Sequence, residues 1–390
     1  MRDAVIVDAV RTPVGKGKPG GALSGIHPVD LSAHVLQGLA QRNGLDPVMV
    51  DDVIWGCVNQ IGEQSGGVGR YSVLAAGWPE SVPGLTIDRQ CGSSQQAVHQ
   101  AAAGVIAGQY DIAVAGGVEI MSRVPMGSNR ANGQFGSPFG PLVAERYDDY
   151  RFNQGIGAEM IADEFGLTRE ELDQHALDSH ARAARAIDEG RFKGQIAPVV
   201  VTGVDGSTRV FDTDEGVRRG GTLEAMRTLK TPFKENGVVS AGNASQISDG
   251  SAALLITTSE IAERNGWTPI ARFHTGVVVG ADPISMLKGP IPATAKVLER
   301  SGLSIGDIGA YEINEAFASV SLGWQRQTGA EYELMNPNGG AIALGHPLGG
   351  SGARLMTTLV HHMKDNGIRY GLQSMCEGGG MANATILELL

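Results

Sequence analysis

Apolar and polar positions along the chain alternate between two periods, one fitting strands and one fitting helices. Met1-Arg-Asp-Ala-Val-Ile-Val7 runs straight into a strand pattern, and Ser251-Ala-Ala-Leu-Leu-Ile256 reads as a strand buried on both faces. Asp30 to Ile54 reads as a helix, then a turn at Asn43-Gly-Leu45, then Asp51-Asp-Val-Ile54 entering a strand. Ala293 to Ile313 repeats that order: a helix, Ser301-Gly-Leu303, Gly306-Asp-Ile308, and the strand-like Ala310-Tyr-Glu-Ile313. An offset of about 258 residues means two similar halves, not a solenoid array. Strands alternating with helices in both halves predict an α/β layered architecture.

Each half continues into a strand, a glycine-rich turn and a helix of small residues. In the first half the segment is Leu85-Thr-Ile-Asp-Arg-Gln-Cys-Gly-Ser-Ser-Gln-Gln-Ala-Val-His99, with Cys91 at the junction. In the second it is Asn338 to Gly352, with His346 in the turn. Duplicated halves put Cys91 and His346 at equivalent points facing a pseudo-two-fold axis. Between the halves, about 119–248 differs in character. It opens with a Gly/Ser/Asn/Pro-rich stretch from Met126 to Pro141. An amphipathic helix follows from Thr168 to Gly190, opened by the capping-box spacing Thr168-Arg-Glu-Glu171. A basic patch of Arg218, Arg219, Arg227, Lys230 and Lys234 comes next. The expected division is 1–118 plus 249–270 for the first half, 119–248 for an inserted loop domain, and 271–390 for the second half.

Composition removes several function classes. A net charge of −11 disfavours nucleic acid as a partner. No apolar run reaches the length of a membrane span, and the first residues lack a signal-peptide layout. Three cysteines in a chain this long argue against a disulfide framework and for a reducing, cytoplasmic setting. No Cys/His set has zinc-ligand spacing, so no metal is expected. The triple glycine at 378–380 lacks the spacing of a dinucleotide fingerprint.

The candidate chemistry starts at Cys91. Free amides and the helix dipole at a helix start favour a thiolate, while a buried, inert cysteine is the alternative. His346 lies in a loop before a helix, fit to activate a thiol or bind an oxyanion, or simply structural. Asn314 ends a strand, where its amide can orient His346 or a water, or make an ordinary turn. Cys376-Glu-Gly-Gly-Gly380 offers a second thiol beside backbone donors, or only a glycine turn between strands. His175 and His180 read as a solvated helical face, and His361 and His362 as the polar end of a helix.

Together these motifs resemble the thiolase family. Cys91-Gly-Ser-Ser-Gln-Gln, Asn314-Glu-Ala-Phe-Ala318, Gly345-His-Pro347 and Cys376-x-Gly-Gly-Gly380 stand in the family's order, and the resemblance spans the chain from Val10-Arg-Thr-Pro-Val-Gly15 to the final strand. The details are closest to degradative thiolases of actinobacterial lipid and steroid breakdown. The resemblance implies two βαβαβαββ halves in five α/β/α/β/α layers with an inserted loop domain. It implies an acyltransferase acting on acyl-CoA and CoA, with no permanently bound cofactor, that assembles as a homodimer or homotetramer. Cys91 would carry the acyl group. His346 and an Asn314-held water would bind the thioester oxygen, Cys376 would move the α-proton, and the amides of Cys91 and Gly378 would form a second oxyanion hole. Arg218, Ala241, Ser245, Met286 and Phe317 match residues around CoA and the acyl end. The chain departs from the family at Asn153-Gln-Gly155, Met286-Leu-Lys-Gly-Pro290 and Ala225. Those positions surround the substrate, so the acyl group stays open: a long-chain or steroid-derived 3-ketoacyl-CoA, or acetoacetyl-CoA in a biosynthetic enzyme. A β-ketoacyl synthase is disfavoured because Asn314 stands where those enzymes place a second His. An inactive CoA-binding protein is disfavoured because all four reactive positions are intact.

Overall fold

The computed structural model describes residues 2–203 and 206–390. Nine strands of one sheet carry the architecture. They are β1 (Val5–Arg11), β2 (Asp52–Gly56), β3 (Gly84–Ile87), β4 (Ile112–Ile120), β5 (Ser248–Thr257), β6 (Ala271–Gly280), β7 (Ala310–Ile313), β8 (Tyr370–Glu377) and β9 (Met381–Leu389), and their order is β7-β8-β9-β6-β1-β5-β4-β2-β3. A two-residue strand at Gly15–Lys16 pairs β5 off this path.

The sheet is two similar halves joined at one seam. On each side of the seam a parallel pair (β2/β4, β7/β8) is followed by antiparallel pairs. The seam is thin: β1 meets β6 only at Val5↔Arg272 and Ile6↔Ala271. On its outer side β2 has a second parallel partner, β3, whose counterpart in the second half is the one-residue parallel bridge Tyr311↔Met335. Helix α1 (Pro28–Asn43) precedes β2, and a helix at Pro290–Ser301 precedes β7. Both end on a left-handed glycine, Gly44 (φ 57°) and Gly302 (φ 72°), at the turns that mark the sequence repeat.

Burial sorts the helices into layers. Leu31, Leu36 and Leu39 of α1 pack on Val53, Trp55 and Val114 on one face of the first half-sheet. On its other face lie Ala97, Val98 and Ala101 of α2 (Ser93–Ala107), with Ala353 and Met356 of the helix Ser351–Asn366. The second half-sheet carries Ala293, Val297 and Trp324 on its far side, against Tyr311, Ile313 and Leu372. The result is the helix–sheet–helix–sheet–helix order that the resemblance implies. Each fully buried large apolar side chain contributes about 2 kcal/mol. Close packing of the two central helices needs small residues, because a Cβ on Gly352 would lie 2.3 Å from the Gln95 amide nitrogen.

Residues 121–247 leave the sheet between β4 and β5. They carry helix α3 (Arg169–Asp188), whose capping box at Thr168 and Glu171 forms as its spacing predicts. Among the described residues no helix is long and apolar enough to cross a membrane.

Candidate active site

The second half of the repeat brings Asn314, His346 and Cys376 to one end of neighbouring strands. β7 runs parallel to β8 with Ile313 opposite Ser374, and the Asn314 amide donates to the Ser374 carbonyl at 3.1 Å. Asn314 is therefore the first residue past β7, and Cys376 sits near the end of β8. Asn314 Nδ2 lies 3.4 Å from His346 Nε2, and its Oδ1 is buried without a partner among the described residues.

The His346 ring is held from behind. Its Nδ1 lies 2.6 Å from Ser351 Oγ, whose own hydrogen goes to the Pro347 carbonyl at 2.9 Å. Ser351 Oγ thus accepts from Nδ1–H, which leaves Nε2 as a lone pair facing Asn314. Burial and the nearby Arg354 guanidinium lower the imidazole pKa to about 3, so the ring is neutral through the physiological range. Arg354 also donates to the Gly345 carbonyl at 3.3 Å.

Cys91 precedes α2 and is 6% exposed. It shares an apolar cluster with Leu348, two residues past His346, and with Met375, one residue before Cys376. Burial, with the charge of Cys91 and of Glu377, pushes the Cys376 thiol well up. Gly378 follows on the turn after β8, and a Cβ there would lie 2.9 Å from Gln90 Oε1, which places that turn against the residue preceding Cys91.

One expectation is reversed here. The helix start was expected to favour a thiolate, yet burial, with the charges of Glu377, Glu119 and Asp88, pushes the Cys91 thiol up to about 12. The first amides are also already used, since Gly92 N donates to the Arg89 carbonyl and Ser93 N to the Gln90 carbonyl. Desolvation beside carboxylates outweighs what remains of the dipole.

The CoA candidates divide into two groups. Met286, Ala316 and Cys376 share one apolar cluster with Phe317 packed against it. Ser245 joins them, because its amide donates to the Ala316 carbonyl at 3.0 Å and Ala244 bridges Phe317. Arg218 stands apart, exposed on the wall of a groove of about 650 Å³ also lined by His180, Met226 and Gly242. Ala241 is exposed next to Gly242 at the groove's edge. Of the basic patch, Arg219, Arg227 and Lys234 are paired with Asp188, Glu170 and Asp163. Asn153 is spent on capping, accepting from the amides of Gly155 and Ile156.

The histidines of α3 are not solvated. His175 is 2% exposed, with Nδ1 2.9 Å from Tyr332 Oη and Nε2 2.9 Å from Ser321 Oγ. His180 is buried and accepts from the Arg218 amide at 3.1 Å. α3 is covered by the second half on the face that an isolated amphipathic helix would turn to water. His361 is likewise buried, donating to the Ala9 carbonyl at 3.0 Å.

Several supporting residues escaped the sequence reading. Buried Glu119 accepts from the amides of Val58, Asn59 and Gly349 and from the side chains of Asn59 and Gln64. It thereby pins the loop after His346 to the first half. Glu315 accepts from Ser179 Oγ, Asn336 Nδ2 and the Ile342 amide, tying α3 to the loop before His346. Their only sequence signal is an acid inside an otherwise apolar stretch.

Known proteins bear on this arrangement. The thiolase N-terminal domain matches residues 4–260 and the thiolase C-terminal domain residues 267–389. A steroid 3-ketoacyl-CoA thiolase of Mycobacterium tuberculosis is 49% identical, covering 100% of this chain and 95% of its own. A beta-ketoadipyl-CoA thiolase of Escherichia coli is 44% identical over 100% of both chains. The solved acetyl-CoA acetyltransferase of Bacillus anthracis superposes with a TM-score of 0.91 at 38% identity, covering 100% of this chain and 99% of that one.

Proposed function

The chain belongs to the thiolase family, and we propose that it cleaves a 3-ketoacyl-CoA with CoA, through an acyl group carried on Cys91, to acetyl-CoA and a shortened acyl-CoA. The convergence of Asn314, His346 and Cys376 at one end of β7 and β8, with Cys91 packed against their neighbours Leu348 and Met375, carries this reading.

In the first step Cys91 Sγ attacks the 3-keto carbon while its proton passes to His346 Nε2. A neutral imidazole with Nδ1–H fixed on Ser351 is in the right tautomer to accept it. The alkoxide then collapses, the C2–C3 bond breaks, and its electron pair goes to C2 of the leaving acetyl-CoA. Cys376 supplies the proton that C2 takes. In the second step the CoA sulfur attacks the acyl-Cys91 thioester and expels Cys91. The proton of the CoA thiol restores the resting site. Amides at Cys91 and Gly378, and the Asn314–His346 pair, are the proposed donors to the developing oxyanions, where such donors supply about 3 kcal/mol each. Transfer of the thiol proton to the imidazole as the C–S bond forms requires no free thiolate beforehand.

The insert between β4 and β5, with residues of the second half, is proposed to hold CoA. Arg218 and the groove beside it would take the nucleotide end, Ala241 and Ser245 the pantetheine arm, and Met286 and Phe317 the acyl end. Exposed Phe135 (84%) and Leu142 (80%) support an assembly contact near Met126–Pro141, in a homodimer or homotetramer acting in the cytoplasm. We favour a degradative direction, with a fatty or steroid-derived acyl group, because the relatives named above include a steroid 3-ketoacyl-CoA thiolase at 49% identity.

The test is a thiolysis panel of acetoacetyl-CoA, a long-chain 3-ketoacyl-CoA and a steroid-derived 3-ketoacyl-CoA, followed by acetyl-CoA formation. The larger substrates should be cleaved at least as well as acetoacetyl-CoA. A wide preference for acetoacetyl-CoA would move the enzyme to the biosynthetic class, and no cleavage of any would end the proposal.

Ser351→Ala should lower kcat by about 10- to 100-fold with KM little changed, because losing a buried hydrogen bond to a catalytic ring costs roughly 1–3 kcal/mol. Ser351→Thr should recover most of it. Equal kcat in Ser351→Ala and the parent would show that the ring needs no anchor at Nδ1.

A further inference from the structure

Glu377 is a buried acid that the reaction scheme does not use. It is the last residue of β8, adjacent to Cys376, and fully buried. Neither carboxyl oxygen has a hydrogen-bond partner among the described residues. The carboxyl lies over the backbone of the residue after Cys91, since a Cβ on Gly92 would fall 2.1 Å from Glu377 Oε1. Asn383 of β9 closes the other side, donating to the Gly92 carbonyl at 3.0 Å while its own Oδ1 is unpartnered. Arg89 is the nearby cation, with Nε unpartnered and no ion pair to Glu377 among the described residues, and Asp88 adds a second negative charge. Glu119 of β4 also raises the Cys91 thiol through its charge.

We propose that Glu377 controls the charge of both thiols: next to Cys376 on the strand and with its carboxyl against the backbone of Gly92, its carboxylate opposes ionisation of Cys91 and of Cys376. The physical reason is Coulombic. Two negative charges a few ångströms apart in a dry site repel strongly, so one ionises at the expense of the other. Burial pushes the Glu377 carboxyl up to about 8, with Arg89 opposing and Asp88 adding to the rise. The group therefore gains charge at mildly alkaline pH, and the charge of Glu377 raises both sulfurs. The consequence, at the mildly alkaline pH where Glu377 is charged, is a nucleophile that stays a thiol between turnovers. Oxidants and stray electrophiles attack the thiolate, so a protonated Cys91 is spared until a substrate carbonyl and His346 draw its proton away. The inference rests on Cys91 being the acyl acceptor only for this consequence in turnover.

The experiment is iodoacetamide alkylation of the full-length protein from pH 6 to 10, with the modified residue mapped by peptide mass spectrometry. Glu377→Gln keeps the shape and removes the charge. Its Cys91 alkylation should run about tenfold faster than the parent at pH 9, equivalent to about one unit of thiol pKa. Superimposable profiles would overturn the proposal. Should the variant not fold, the parent decides alone. Its log rate should rise with pH, flatten while Glu377 titrates, then rise again, and a single unbroken slope would contradict the coupling. The readout does not need acyl transfer. A shifted profile with no acyl group ever found on Cys91 would leave this inference standing and remove the proposed function, and an unshifted profile with acylation intact would do the reverse.

Discussion

Cys91→Ala is expected to lower thiolysis by about ten-thousandfold or more, since removing a covalent nucleophile commonly costs that much. The loss should fall on kcat, because the groups proposed to hold the substrate are untouched by the change: Met286 and Phe317 in the cluster of Cys376, and Arg218 on its own groove. Folding should survive. The change removes one buried sulfur from a small cluster with Val58, Met121, Leu348, Leu355 and Met375, a loss of roughly 1 kcal/mol by area. Steady-state thiolysis beside a thermal melt separates the two effects. Residual activity within tenfold of the parent would mean that another group carries the acyl chain.

Cys376→Ala should produce a different defect. Cys376 is fully buried, and its thiol is pushed well up by burial, Cys91 and Glu377, so it stays protonated, as the proposed donor must. Without it the carbanion at C2 has no positioned acid, and thiolysis should fall by about 10²- to 10⁴-fold, the usual worth of general acid–base help. Acylation of Cys91 by acetyl-CoA involves no carbon acid and should persist within a few-fold. Exchange of the acetyl-CoA α-hydrogens with deuterated water should fall with thiolysis. If acylation and exchange fall together, Cys376 supports the site as a whole and does not move that proton.

Much of the site is legible in the sequence because its reactive residues sit at breaks in periodicity. Cys91 stands where a strand pattern gives way to a helix of small residues, Asn314 ends an apolar run, His346 follows Gly345 in a glycine-rich loop, and Cys376 comes two residues before a run of three glycines. The repeat was readable for the same reason, as the turn glycines Gly44 and Gly302 fix a left-handed backbone in both halves.

What sequence could not give is set by distant contact. Ser351 looked like one more small residue, and only the turn that closes on Pro347 points its hydroxyl at His346. Glu119 gathers donors from Val58 and Gly349, which no local pattern links. His175 and His180 were misplaced because amphipathicity reports a polar face, not whether another element covers it, and here Tyr332, Ser321 and the Arg218 loop do. The thiol failed in the same way. A helix start is a local feature, whereas the carboxylates of Glu377 and Glu119 arrive on β8 and β4.

The most direct measurement is the site of acylation. The protein is incubated with acetyl-CoA, quenched in acid, digested and read by peptide mass spectrometry. An acetyl group on Cys91 that is lost on adding CoA, and absent from Cys57 and Cys376, is the predicted result. A stable adduct elsewhere, or none while acetyl-CoA is being turned over, would contradict it.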